Sequence, residues 1–131
     1  MDLGIKGKTA FVLGASSGLG FGVASELAKN GARVAICGRN KDKLEKAAGE
    51  IGAFPVMGDL TNSTDIVETI REVRIKLGEI DILVTNTGGP PKAAFSDTDE
   101  TIWKESFQNI FLSVTSSVNN VLSSMINKSW G

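Results

Sequence analysis

The sequence predicts an α/β fold built on a parallel sheet, and three observations carry that expectation. Short apolar runs alternate with segments of helical period four times along the chain. A cluster of small residues, Gly14-Ala15-Ser16-Ser17-Gly18-Leu19-Gly20, joins the first apolar run to the first helical segment. Each later run is reached through a helix, which makes neighbouring strands parallel partners joined by right-handed crossovers.

Taken in order, residues 8–13 form the first strand, and the pattern Val23-Ala24-Ser25-Glu26-Leu27-Ala28 places a helix over 18–30 that stops at Asn30-Gly31. Arg33-Val34-Ala35-Ile36-Cys37-Gly38 is a second strand. Leu44, Ala47, Ala48 and Ile51 mark one face of a second helix, and Phe54-Pro55-Val56-Met57 is a short third strand. Capping chemistry in residues 61–65 opens a third helix with Ile66, Ile70, Val73 and Leu77 on one side. Residues 80–85 read as a fourth strand, broken at Asn86-Thr87-Gly88-Gly89-Pro90-Pro91. One long helix is expected over 99–127, with Trp103, Phe107, Ile110, Val114, Val118, Val121 and Met125 on a stripe. Such a helix, roughly 40 Å long, covers a sheet or leaves apolar surface for a partner subunit.

Bulk properties narrow the function classes. The 131 residues fit one domain, and 14 Lys plus Arg against 15 Asp plus Glu provide no field to attract nucleic acid or an acidic membrane. There is no secretory leader pattern and no apolar run of about 20 residues, so a cytoplasmic protein is expected. A single cysteine, Cys37, rules out an internal disulfide, and the absence of histidine argues against a metal site. Cys37 reads as a buried apolar residue on a strand.

The glycine turn carries the chemistry. Gly14 suits a tight turn, while Gly18 and Gly20 remove side chains where a ligand or the helix must come close. The first backbone N–H groups of the new helix then point at an anion, for which a pyrophosphate is the expected guest. The same glycines also serve an ordinary strand-to-helix turn. The second strand ends in Cys37-Gly38-Arg39-Asn40-Lys41, which offers two cations and no acid. A carboxylate there would suit the ribose 2′-hydroxyl of NAD, whereas a cation accommodates the 2′-phosphate of NADP. Arg39 can bind phosphate bidentately and stack on adenine, so NADP (NADPH) is expected over NAD.

These residues together resemble the short-chain dehydrogenase/reductases. Leu13-Gly14-Ala15-Ser16-Ser17-Gly18-Leu19-Gly20 stands in place of the family's Thr-Gly-x-x-x-Gly-x-Gly, with Leu13 where Thr is usual. Asp59 of Asp59-Leu60-Thr61 falls where the family holds adenine, and it also suits a capping acid. Thr85-Asn86-Thr87-Gly88 is similar to the family's Asn-Asn-Ala-Gly, keeping Asn86 and Gly88, and its continuation through Pro91 resembles a variant among 3-oxoacyl carrier-protein reductases. Asn109 matches the family's catalytic Asn by its spacing after Trp103. The resemblance thus implies cofactor-binding roles for Gly14, Ser16, Ser17, Gly18, Leu19, Gly20, Arg39, Asp59, Leu60, Asn86 and Gly88, and a small-molecule carbonyl or alcohol substrate.

It also implies a Rossmann-like doubly wound parallel sheet, truncated after about four strands and a long fourth helix. Residues 1–131 are expected to be the amino-terminal, dinucleotide-binding domain of such a reductase. The family's catalytic Ser and Tyr-x-x-x-Lys lie beyond that helix, and this chain contains no tyrosine. In the family mechanism that phenol gives its proton to the carbonyl oxygen. Two readings therefore stand: the cofactor half of an NADP-dependent oxidoreductase, inactive alone, or a non-catalytic nucleotide-binding or oligomerisation module. An open sheet edge and a helix without a neighbour favour homo-oligomers through residues 99–127.

Overall fold

The computed structural model describes residues 1–131 and contains one sheet of four parallel strands in the order β3-β2-β1-β4. The elements are β1 (Thr9–Val12), α1 (Gly18–Lys29), β2 (Arg33–Gly38), α2 (Lys41–Ile51), β3 (Phe54–Met57), α3 (Ser63–Leu77) and β4 (Ile82–Val84). A short 3-10 turn (Phe95–Asp97) leads to α4 (Glu100–Ser106), a π-helical segment (Phe107–Leu112) and α5 (Ser113–Lys128). No helix is long and apolar enough to cross a membrane.

Strand periodicity sorts the core into two layers. Phe11 on β1 and Leu13 just after it, with Ala35 and Cys37 on β2, face Ile66, Ile70 and Val73 of α3 and Val121 of α5. The alternate residues Ala10, Val12, Val34 and Ile36 face Ala24 of α1 and Leu44, Ala47 and Ala48 of α2. Both faces of β1 and β2 are therefore covered, and their continuous apolar runs follow from that. Pro55, opposite Ile36, is tolerated because β3 pairs on one side only.

The helix ends follow from local chemistry. Asn40 Oδ1 accepts from Lys43 N, Asn62 Oδ1 accepts from Thr64 N and Asp65 N, and Asp99 Oδ1 accepts from Ile102 N. At the amino-terminal end of the sheet Asp81, 7% exposed, joins β1 to β4. Its Oδ2 accepts from Thr9 N at 2.9 Å, and its Oδ1 accepts from Lys128 Nζ at 2.8 Å. Burial raises the Asp81 pKa, but the hydrogen bonds from Lys128 and Thr9 and the charges of Lys128 and Lys8 outweigh it, leaving the carboxyl below its ordinary value. Lys8 also stacks over Trp130, so the last residues fold back on the first strand.

The long helix departs from expectation in two ways. It is one continuous rod, but its middle turn is π-wound: the Ser113 N–H bonds Gln108 O, five residues back. The residues turned most fully to the core are Ser113, Ser117 and Val121, so that of the expected apolar stripe Val121 is buried and Met125 packs beside it, while two serines fill the rest of the row. Trp103, Phe107 and Val118 of that stripe are exposed, as are Phe111, Leu122 and Ile126. Small hydroxyl residues let the rod approach the sheet closely while bonding their own backbone, Ser117 Oγ to Ser113 O at 2.8 Å.

Candidate functional site

At the carboxyl ends of the strands lies a polar crevice of about 490 Å³. Four strand-end segments build its walls: Gly14, Ser16 and Ser17 after β1, Gly38 and Arg39 at β2, residues 58–61 after β3 and residues 86–89 after β4. Asn109 closes it from the π-helical segment. Nine of the twelve expected site residues thus meet here: Gly14, Ser16, Ser17, Arg39, Asp59, Leu60, Asn86, Gly88 and Asn109. Gly18, Leu19 and Gly20 are not on its lining. Leu19 is 85% exposed and, with Gly18, borders an outer groove beside Leu3 and Ile5. Pro90, Pro91 and Phe95 line a separate apolar groove with Trp103 and Phe107.

The turn after β1 is held on three sides. Leu13 N bonds Val84 O and Ala15 N bonds Cys37 O, each at 3.0 Å, while Asn86 Nδ2 donates to Gly14 O at 2.9 Å. Gly14 has φ +58, and a Cβ there would stand 2.6 Å from Asn86 O. At Gly20 the added carbon would meet Gly14 O at 2.3 Å and Asn86 Nδ2 at 2.8 Å, so this glycine lets α1 press against the turn. Gly18, at φ +61, has open space around it. Ser17 occupies the N-cap of α1 without a side-chain capping bond, unlike the caps of α2, α3 and α4. The first N–H groups of α1 are consequently left for an anion.

Arg39 and Asp59 sit on the opposite wall. Arg39 is exposed and forms no salt bridge within the chain. Asp59 Oδ1 accepts from Thr61 Oγ1 at 2.7 Å and Thr61 N at 3.0 Å. These bonds, with help from the Arg39 charge, hold its carboxyl below the ordinary carboxylate pKa. Asp59 therefore does shape its own turn, as a capping acid would, while still lining the crevice. Asp65 Oδ2 accepts the Asp59 N–H at 2.9 Å and braces the turn from α3. Beneath it the Cys37 thiol is pushed up to about 12, first by burial and then by Asp65, Glu72 and Asp59.

Sequence reasoning missed Gly38, Gly58, Thr61, Thr87 and Gly89. The signal for two of them was present, since Gly38 and Gly58 immediately precede the two charged residues of the crevice. A Cβ on Gly58 would lie 2.4 Å from Thr69 Cγ2, and one on Gly38 would lie 3.4 Å from Ser16 Oγ. Both glycines keep α3 and the first turn close to the strand ends.

A parallel sheet of this order, with a glycine turn and an uncapped helix opening on a polar crevice, defines a nucleotide-binding α/β domain of Rossmann type. The chain belongs to the short chain dehydrogenase family, whose pattern it matches over residues 8–131. It is 31% identical to an uncharacterized oxidoreductase of Staphylococcus saprophyticus, aligned over 97% of this chain and 57% of that protein. An uncharacterized oxidoreductase of Bacillus subtilis is 33% identical over 100% of this chain and 51% of its own length. Among solved structures, L-sorbose reductase from Gluconobacter frateurii, complexed with NADPH and L-sorbose, superposes with a TM-score of 0.88 at 25% identity. That match covers 98% of this chain and 51% of the reductase. A dehydrogenase/reductase from Sinorhizobium meliloti gives a TM-score of 0.85 at 30% identity, over 90% of this chain and 49% of the other. The chain spans about half the length of these relatives.

Proposed function

We propose that the crevice binds NADP(H), and that residues 1–131 are the cofactor-holding part of an oxidoreductase acting on a small carbonyl or alcohol substrate. The observation that carries the cofactor choice is Arg39: an exposed guanidinium without an intramolecular partner, at the end of β2, where no carboxylate stands to meet a ribose hydroxyl. The remaining walls fit the same guest. The free N–H groups of α1 and the hydroxyls of Ser16 and Ser17 suit a pyrophosphate, and the Asp59-Leu60 turn suits an adenine edge. A bound nicotinamide dinucleotide would supply the hydride. Around it, Asn86 holds the first turn to β4, Gly88 and Gly89 keep that wall free of side chains, and Asn109 presents its amide from the helix.

Titration calorimetry with NADPH and NADH tests the assignment. A charged hydrogen-bonding group contributes about 1.5–3 kcal/mol, so NADPH should bind roughly 10–100-fold tighter than NADH. Arg39→Asp should reverse the order, and tighter binding of NADH to the unmodified chain would overturn it.

For the substrate, the likeness of residues 87–91 to a variant among 3-oxoacyl carrier-protein reductases favours a 3-oxoacyl thioester. Without a tyrosine the chain has no phenol to donate the proton, and we expect no turnover from it alone. A second reading is favoured by the exposed face of the long helix, where the half-exposed rings of Phe107 and Phe111 stack at 5.1 Å. On that reading the domain is a nucleotide-binding module that assembles into homo-oligomers through this face. NADPH consumption with a panel of ketones separates the two, since binding without turnover favours the module.

A further inference from the structure

We infer that Ser113 is a positioning residue that sets the π-helical turn and thereby aims Asn109 at the crevice. Ser113 is 1% exposed, and its two donors go to different carbonyls. Its backbone N–H reaches five residues back to Gln108 O, while its hydroxyl donates to Asn109 O at 2.6 Å. In an α-helix the Asn109 carbonyl would take the Ser113 N–H, because that bond spans four residues. Here the side chain of Ser113 occupies the place that its own amide has vacated. The hydroxyl thus gives the half-buried Asn109 carbonyl a donor in place of the amide that bonds Gln108.

The extra residue in that turn has a directional effect. One residue corresponds to about 100° around an α-helix, so a return to α-winding would rotate everything before residue 113 against the sheet-facing row of Ser113, Ser117 and Val121. Residues four apart share a helix face. In an α-wound rod Asn109 would stand above Ser113, on the row that packs against the core, instead of on the crevice wall where it lies. Its amide has no partner inside the chain, which leaves it free for whatever enters the crevice. The structural part of this inference stands by itself, and the functional part rests on the dinucleotide reading proposed above.

The test is heteronuclear NMR of the labelled chain with three substitutions. In Ser113→Ala the carbonyl and Cα shifts of residues 107–112 should move to α-helical values, and the Asn109 side-chain amide resonance should shift. Ser113→Thr, whose hydroxyl can bond the same carbonyl, should restore both, while Ser113→Val of the same shape should not. Ser117→Ala deletes the next buried hydroxyl and should leave Asn109 unmoved, which controls for simple loss of stability. On adding NADPH, the Asn109 amide should respond in the unmodified chain and in Ser113→Thr, and this response should be lost in Ser113→Ala. Persistence of the π-turn in Ser113→Ala or Ser113→Val would overturn the inference, as would rescue by Val equal to rescue by Thr. If the turn reverts as expected but NADPH perturbs no crevice residue even in the unmodified chain, the positioning stands and the dinucleotide reading falls.

Discussion

Gly20→Ala puts the packing of the first turn to a quantitative test. Gly20 is not in the left-handed region, so alanine meets no backbone strain there and only contact distances count. The new carbon would stand 2.3 Å from Gly14 O, 3.0 Å from Ala15 Cα and 2.8 Å from Asn86 Nδ2. Two of those atoms make the 2.9 Å bond between the turns of β1 and β4, so α1 cannot retreat without loosening it. Overpacking of this kind costs about 1–3 kcal/mol and a lost hydrogen bond about 1 kcal/mol, giving about 2–4 kcal/mol in all. Urea unfolding followed by circular dichroism reads this directly, and NADPH affinity should fall at least about tenfold, since 1.4 kcal/mol is one decade. Gly18→Ala is the contrast. Its space is open but its φ is +61, so it should lose only about 1–2 kcal/mol through strain. A Gly20→Ala chain with unchanged urea midpoint and unchanged NADPH affinity would refute the close-approach account of this glycine.

Asp81→Asn should destabilise the fold by about 1–3 kcal/mol at pH 7, because a buried, charge-assisted tie between β1, β4 and Lys128 loses its charge. The folded carboxyl titrates below its unfolded value near ~3.9, so its stabilisation is complete above that pH and fades as the pH falls through the lower folded value. The gap between the two chains should therefore narrow as the pH falls below the ordinary carboxylate range, and a gap that stays constant would exclude the charge as its cause. Cys37, 0% exposed with its thiol pushed up to about 12, should ignore an aromatic disulfide reagent at pH 8 and react fully in denaturant. Labelling at the native rate of a free thiol would show that β2 is open. Replacing Phe107 and Phe111 by Ser should change stability by no more than about 0.5 kcal/mol, as surface changes do, yet shift the mass measured by light scattering toward the monomer. A monomeric unmodified chain at micromolar concentration would remove the case for assembly.

The strands and the first turn were legible because their signals are local. The runs at Arg33–Gly38 and Phe54–Met57 coincide with the observed strands: on β2 burial of both faces demands continuous apolar residues, while the edge strand β3 buries only Val56 fully. The fourth strand is shorter than residues 80–85: Ile80 goes to the core, Asp81 turns to Thr9, and pairing with β1 keeps Ile82–Val84. Arg39 and Asp59 were readable from their places just after strands. The bracing of Asp59 by Asp65 was not, because it depends on how α3 lies against β3. The π-turn escaped for a different reason. Hydrophobic periodicity assumes a constant winding, and one added residue at 107–112 moves every earlier position off the face it should occupy. The apolar stripe read from the sequence was therefore real as a pattern but divided: Val121 and Met125 meet the core, while Trp103, Phe107 and Val118 stand exposed.

The contacts between β1 and β4 bear on the order in which the molecule can be assembled. Thr9 meets Asp81 at one end of this pair, and Gly14 meets Asn86 at the other, each across 72 positions of chain. On a ribosome the first strand must wait for residues 81–86 before either clasp can close, while its pairing with β2 spans only 24 positions, Thr9 to Arg33. The β1-β2-β3 layer can thus gather early, with its glycine turn in place but its far wall missing. A ligand that needs both walls would recognise only chains that have completed this last step, so its binding would report the end of folding and, by mass action, draw the chain toward it.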